Sequence, residues 1–545
     1  MIGKLALVIA LVVFCSLQAQ EFQWAVCSGE NNTIFSVYNK GKSVTTDEQG
    51  NVYVVGEFSD TLRFGATLLK SFVTRNAFIV KYDNTGEVQW ADVFGSISSI
   101  YWDDILKQSS VTDDAGNTFI SLSLTGKGKV GGVEYSAGGY IIKYTTNGTV
   151  DWVKKNEKVN GFSIITFDSQ GNLIISGLAG AYFKIAKFTK DGDFLMEKAD
   201  NAGMISAPTS MTVDGSDNIY ITGGCPMFAG NISGTEIAVG NYYLAKYNSA
   251  LEFQWAQTSS GSGSEAGVSV QTDQAGNVYV TGAQRDATYA AVDANYSGRD
   301  VLNANNFLLK YDSGGVIQWA KGFTAFSVKD MTTDANGNNY ITGWFQIVSY
   351  FETDSVYENT SPLGTTFIVK YDAAGQLGWL TGIYGRNSQE AFGITRDKSN
   401  NLLVTGQFIG EGIFGSDTLR QEAKIGVYGF VFITRLSSGA TDIADNEYLC
   451  IPQTAYLNQN YPNPFNPSTV ISYQILAASR INVSIYDGLG KRVRTLINEK
   501  QSAGSYSIPW NGKNDLGLPV VSGIYFCNLW IENNSSLTKK MILTK

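Results

Sequence analysis

The chain is predicted to be all-β: a seven-bladed β-propeller closed by its own N-terminal strand, followed by a small C-terminal β-sandwich. Three observations carry this. One phrase, D-x-x-[GN]-N-x-[YFL]-[VI]-x-G followed by [FY]-[IL]-x-K-Y-x-x-x-G-x-[VIL]-x-W, recurs through the chain. Its apolar and polar residues alternate with a period of two, which marks strands. The strand that the last copy lacks stands at the front of the chain.

The first half-phrase begins at Asp47, Asp113, Asp168, Asp214, Asp273, Asp334 and Asp397. Each aspartate is expected to fold its carboxylate onto nearby amides while Gly or Asn takes the φ > 0 position. The units read as four strands: A before this turn, B after it, C as FIVKY and D as VQWA. Four antiparallel strands cannot bury both faces alone, so the units stack, and radial stacking makes a propeller. The spacing is shortest between Asp168 and Asp214, so blade 3 is read as degenerate and its completeness is left open.

The seventh unit has A, B and C strands ending in FVFITRLSSGA (430–440) but no VQWA. EFQWA (21–25) supplies it, a velcro closure that leaves no free sheet edge. Trp24, Trp90, Trp152, Trp255, Trp319 and Trp379, with Met196 in the third unit, recur at one position and are read as inter-blade packing rather than a ring of ligand-stacking aromatics. The aspartates are read as turn-formers; each has few acidic neighbours for a calcium cage, so no cofactor is expected and calcium is the one metal left open.

The phrase resembles the seven-bladed β-propeller repeat of secreted bacterial proteins, the SBBP family, over residues 21–440. That resemblance implies the fold and says little about ligand.

Residues 1–19 read as a signal peptide: Lys4, then the apolar run 5–15, with cleavage beside Ala19 or Gln20. No later stretch is apolar enough to span a membrane. The propeller is assigned to 20–440. Composition then shifts, since six of the nine prolines lie between Pro452 and Pro519. Residues 441–456 read as a linker and 457–545 as a β-sandwich containing a D-G-L-G hairpin turn. YPNPFNP (461–467), IYDGLGKRV (485–493), W-N-G (510–512), SGIYF (522–526) and KKMILTK (539–545) make this segment resemble the type A C-terminal sorting domain of the type IX (Por) secretion system. They also make it similar to the Ig-like domain of flagellar-hook capping proteins. The resemblance implies a Gram-negative bacterium, export across both membranes, and the secretion machinery and its sortase as partners. The product would be released or anchored at the outer-membrane surface. A permanent Ig-like stalk is the plainer alternative.

The chain has 545 residues, a net charge of −9 and no histidine. That charge gives no basic footprint, so no nucleic-acid partner is expected, and Ser-His-Asp, Cys-His and histidine-zinc chemistry are excluded. Cys27, Cys225, Cys450 and Cys527 lack C-x-x-C spacing. Cys27 and Cys225 belong to opposite sides of the ring; a Cys450–Cys527 bridge is left open.

In an A-B-C-D meander the B–C and D–A connections share one face. Here they vary in length, which marks a candidate binding face. Tyr101, Trp102, Trp344, Tyr350 and Tyr384 are candidates for stacking on sugars or filling a protein interface. Asp103, Asp104 and Arg386, with Glu390, are candidates for hydrogen bonding. The alternative for each aromatic is packing beneath its own loop. Three functions follow: a binding or adhesion module for polysaccharide or protein, a glycosidase pairing Asp103 or Asp104 with Glu390, or a structural spacer. Binding is the preferred expectation, with no catalytic residue assigned.

Overall fold

The structure, a computed structural model, describes residues 21–544 apart from 30–36, 74, 96–105, 107, 125, 160–163, 180–181, 201–207, 225–228, 262–263, 286–291, 347, 352–353, 358–363, 386, 421–426, 439–455, 458–459, 461–462, 476–478, 502–503 and 533–535. The expected signal peptide and nearly all of the expected linker therefore lie outside the described residues. Two compact units emerge, Met1–Asp442 and Ile443–Lys545. No described helix is long and apolar enough to cross a membrane.

The first unit is a seven-bladed propeller of four-stranded antiparallel sheets. Blade 1 comprises Lys40–Thr46, Val52–Phe58, Asn76–Tyr82 and Val88–Phe94, strands A to D in order. Blade 7 takes A, B and C from Gln389–Arg396, Leu402–Phe408 and Phe430–Leu436, and its D strand is Phe22–Cys27. The closing register sets Ala25 opposite Thr434, Val26 opposite Ile433 and Cys27 opposite Phe432. Blade 3 is complete, with strands Ile164–Phe167, Leu173–Ala179, Tyr182–Phe188 and Phe194–Asp200. The completeness of this blade, left open by its short spacing, is thereby answered.

Each invariant residue of the phrase has a physical task. Asp47 Oδ1 accepts the Gln49 and Asn51 amides at 3.0 and 2.9 Å, and Oδ2 accepts the Asn51 side chain at 2.7 Å and the Tyr53 hydroxyl at 3.0 Å. The same net recurs at Asp214 and Asp334, and at Asp273 without the amide two residues on. The phrase tyrosine then packs against the strand-D tryptophan of its own blade, as in Tyr53–Trp90 and Tyr279–Trp319. The lysine lies over the tyrosine ring, Lys81 Nζ 5.2 Å from the Tyr53 centroid.

Lysine and tryptophan also reach into the next blade. Lys81 Nζ and Trp90 Nε1 both donate to the Thr146 carbonyl, at 3.2 and 2.9 Å. Lys310 and Trp319 both donate to the Ala373 carbonyl, at 2.9 and 3.2 Å. The glycine of that turn lies against the ring: a Cβ on Gly148 (φ +83°) would come within 2.5 Å of Trp90. Packing of the tryptophans between blades is therefore what the structure shows.

Hydrophobic burial follows the same plan. Each core cluster of the propeller draws on two neighbouring blades: Val54, Phe64 and Phe78 of blade 1 meet Leu403 and Ile433 of blade 7, and Tyr279 and Leu308 of blade 5 meet Ile341 and Val369 of blade 6. The apolar cores lie between sheets.

One element was not foreseen. In six blades the B–C connection folds into a short hairpin, for example Thr61–Phe64 with Thr67–Lys70, or Glu411–Phe414 with Asp417–Arg420. Blade 3 joins B to C directly, which accounts for its short period. The hairpins return along strand D of their own blade, placing Gly65 beside Val88 and Gly415 beside Phe22. They also bridge the end of the preceding blade's strand D: Gly29–Arg63, Gly95–Lys129, Thr324–Tyr350 and Tyr384–Ile413. Between blades 4 and 5 this becomes a three-residue ladder, Ser259–Gly261 against Ala294–Tyr296. Strand D is the outer edge of each sheet, where backbone groups lack a ladder partner; the hairpins cover it.

The second unit packs a three-stranded sheet (Tyr456–Leu457, Thr469–Ile475, Gly504–Trp510) with a four-stranded one (Ser479–Asp487, Arg492–Gln501, Gly523–Ile531, Leu537–Leu543) around one core. Trp510 is fully buried between Phe465 and Tyr525. Phe465 exchanges backbone hydrogen bonds with Ile542 and Thr544, both at 3.0 Å. The proline-rich motif and the terminal strand thus join. Cys527 is a buried free thiol, its pKa pushed up to about 12 by burial; Cys450, with which a bridge was left open, lies outside the described residues.

Replacing Trp319 with Ala should lower the propeller's stability by about 2–4 kcal/mol, measured by denaturant titration, since it empties an inter-blade core and removes a hydrogen bond. Removing residues 21–29 should expose strand Phe430–Leu436 and produce soluble aggregates in size-exclusion chromatography. Acid should also unfold the ring. Burial pushes the Asp168 carboxyl up, but donation from Lys187 and from the Asn172 side chain and amide more than offsets it, so the net shift is downward. Asp113 is lowered in the same way, with Lys190 and Asn117 as its donors. A carboxyl whose folded pKa is depressed contributes stability above its unfolded pKa and loses it as pH falls through the folded value. Stability should therefore decline below about pH 4, and Asp168→Asn should flatten part of that decline in thermal melts run across pH.

Candidate functional site

Register places the B–C and D–A connections at one end of every blade. In blade 6, Trp344 at the end of strand B faces Ser327 at the start of A and Thr366 at the start of C, and Thr366 faces Ile383 at the end of D. The candidate residues chosen from variable loops divide into two groups on this face.

Tyr350 and Tyr384 belong to the outer girdle. Tyr350 is 56% exposed, but its backbone amide and carbonyl both bond to Thr324 of the preceding blade, at 3.2 and 2.9 Å. Tyr384 does the same with Ile413, at 3.3 and 2.7 Å. Both positions therefore serve blade junctions through their backbones. Tyr101, Trp102, Asp103, Asp104 and Arg386 lie outside the described residues, so the proposed pairing of Asp103 or Asp104 with Glu390 cannot be drawn.

Trp344 belongs to a second, inner group. Its ring stacks on Phe326, centroids 4.2 Å apart and planes inclined by 29°, and both rings are partly exposed. Gly364 (φ +127°) lies against the Trp344 ring, where a Cβ would come within 2.8 Å. Gly364 also abuts Ser388 and accepts the Gln389 amide at 2.9 Å. Ser388 Oγ donates to Glu390 Oε1 and Gln407 Nε2 to Glu390 Oε2, each at 3.1 Å. Each carboxylate oxygen keeps capacity for a further donor. The result is a flat aromatic platform next to a polar cluster.

Further along strand A of blade 7, three lysines gather on Phe392. Lys42 Nζ is 4.0 Å from the ring centroid, Lys40 Nζ 5.1 Å and Lys329 Nζ 5.7 Å. They come from blades 1 and 6. The strand is bulged between Ala391 and Gly393, and the bulge needs the last glycine of the phrase: a Cβ on Gly406 would lie 2.0 Å from the Glu390 carbonyl oxygen. Equivalent bulges at Gly41/Ser43 and Val328/Asp330 face Gly56 and Gly343. Such bulges re-aim side chains. Phe326, Ser388, Phe392, Gln407 and the three lysines were not singled out from sequence; the phrase-ending glycine is the signal that marks where their strands bend. Among the described residues no three His, Cys, Asp or Glu side chains converge as metal ligands would.

Comparison with known proteins adds the following. Residues 467–530 match the FlgD Ig-like domain family. An uncharacterised WD repeat-containing protein of Acanthamoeba polyphaga mimivirus is 25% identical over 257 residues, which is 44% of this chain and 17% of that protein; the chain thus spans under a fifth of that relative's length. Among solved structures, PorZ, a bacterial surface component of the type IX secretion system of Porphyromonas gingivalis, is similar over 92% of this chain and 70% of its own, at 12% identity and a TM-score of 0.32. A protein of unknown function from Dyadobacter fermentans covers 77% of this chain and 99% of its own, at 11% identity and a TM-score of 0.37. The Neurospora crassa Pan2 WD40 domain covers 61% and 90%, at 6% identity and a TM-score of 0.30. Likenesses this distant carry no argument about activity, and the propeller rests on its own blade registers.

Because Tyr350 acts through its backbone, Tyr350→Ala should change stability by no more than about 0.5 kcal/mol in denaturant titration. Gly364→Val should cost several times that, since the Trp344 ring must move to admit the side chain.

Proposed function

We propose that this is a propeller protein exported by the type IX secretion system of a Gram-negative bacterium and released from, or anchored to, the outer-membrane surface. Its propeller is a non-catalytic binding module for polysaccharide or protein. The observation that carries the binding reading is the Phe326–Trp344 platform beside the Ser388–Glu390–Gln407 cluster. A partly exposed aromatic face stacks on the apolar face of a sugar ring or a flat side chain, while the neighbouring carboxylate and amide answer hydroxyl or amide donors. The export reading rests on the five C-terminal motifs, carried by a domain that matches the FlgD Ig-like family. The secretion machinery and its sortase would be the partners of that domain.

A glycan and matrix-protein array probed with the full chain tests the binding reading. Saturable binding should weaken about tenfold in Trp344→Ala and remain unchanged in Tyr350→Ala. Equal binding by both variants would reject the platform as the site. Truncation after residue 456 in a host with a type IX system should trap the protein in the periplasm; normal appearance at the surface would reject the sorting reading.

A further inference from the structure

Many turns of this chain, such as those opened by Asp47, Asp168, Asp312 and Asp372, fold a side-chain oxygen onto the amides two and four residues on. In every A–B and C–D turn of the propeller the residue two past the turn's opening residue is polar, Gly or Ala, as with Gln49, Thr85, Ala115 and Asn147. The sandwich has two such turns and both place leucine there. Asp487 Oδ1 accepts the Leu489 and Lys491 amides at 3.0 and 2.9 Å. Asn514 Oδ1 accepts the Leu516 and Leu518 amides, both at 3.0 Å. Leu489 is 96% exposed and Leu516 83%.

The two turns occupy one end of the sandwich. The Asp515 amide donates to the Val493 carbonyl at 3.1 Å, and Asp515 Oδ1 accepts the Thr495 amide at 3.0 Å. Arg492 reaches Asp515 at 3.9 Å. Val521, 77% exposed, joins this end through its carbonyl, which accepts the Tyr525 hydroxyl at 2.7 Å. Leucines held outward on rigid turns are costly in water and mark a contact surface.

We propose that this tip docks on a lipid bilayer carrying anionic phosphate headgroups, the leucines entering the headgroup–acyl boundary and the basic residues behind them meeting phosphate. Charge selects this occupant. Lys491, Arg492 and Lys513 are exposed around the turns; Asp515 offsets Arg492, which leaves Lys491 and Lys513 in excess over Asp487, whose carboxylate accepts turn amides. Shape agrees: the leucines stand on convex turn apices, which a soft interface admits without a complementary groove. The inference concerns the sandwich and stands apart from the propeller's ligand.

Co-sedimentation of the full chain with phosphatidylcholine vesicles, with and without phosphatidylglycerol, tests it. Binding should require the anionic lipid and weaken as salt rises. Leu489→Ser with Leu516→Ser should lower partitioning at least about tenfold without changing the melting temperature, since neither side chain is buried. Leu489→Trp should add an emission component that shifts to the blue on anionic vesicles. Partitioning unaffected by the serine pair, or no emission shift, would overturn the proposal. So would a concentration-dependent dimer that the serine pair abolishes, which would give the tip to a second copy, and so would capture by a secretion-system protein in the absence of lipid.

Discussion

In the propeller every hydrophobic core is shared between two blades, and the other features of the ring answer to that constraint. A lone blade would leave two apolar faces in water. In blades 1, 4 and 5 the lysine and the tryptophan both donate to one carbonyl of the next blade's turn and so tie neighbouring sheets together. The turn aspartate holds the tyrosine on which that tryptophan and lysine pack. A change at one residue of the phrase therefore acts across a blade interface.

That constraint explains which parts were legible in sequence. The phrase could be read because its tasks fall to side chains, and side chains leave a pattern: aspartate for the turn, tyrosine and tryptophan for the interface, glycine where a turn or a bulge allows no Cβ. The velcro strand was legible because it carries the same QWA as its equivalents. The girdle hairpins were not. They join blades through backbone groups, as at Thr324 and Tyr350, and a backbone bond places little demand on residue type. Their variability looked like ligand specificity and includes blade-junction structure. Blade 3 looked defective for the same reason: what it lacks is a hairpin.

The candidate site divides along the same line. Trp344 was visible as an aromatic in a variable connection. Its stacking partner Phe326, just before strand A of the same blade, and the Lys40–Lys42–Lys329–Phe392 group, on A strands of three blades, were not, because these positions lie upstream of the phrase and carry no repeated residue. In the sandwich the reverse holds. The proline-rich motif and the terminal strand, separated by most of the domain, are joined at Phe465, and Trp510 and Tyr525 pack into the same core, so motifs recognised one by one prove to be parts of one packing unit.

The closing strand has a consequence for timing. Thr434 donates its hydroxyl to the Trp24 carbonyl across 410 positions of chain. Loop-closure entropy grows only slowly with length, so the long span costs little at equilibrium; its cost is kinetic, because contacts distant in sequence form late. As the chain folds from its N-terminal end, blades 1 to 6 can assemble in sequence, but strand D of the seventh blade comes first in the chain and is used last. Until residue 436 arrives, QWAVC waits as an unpaired strand at one end of an open arc. An unpaired edge thus persists until the last blade is in place, which makes the N-terminal strand the natural place for a folding helper to act.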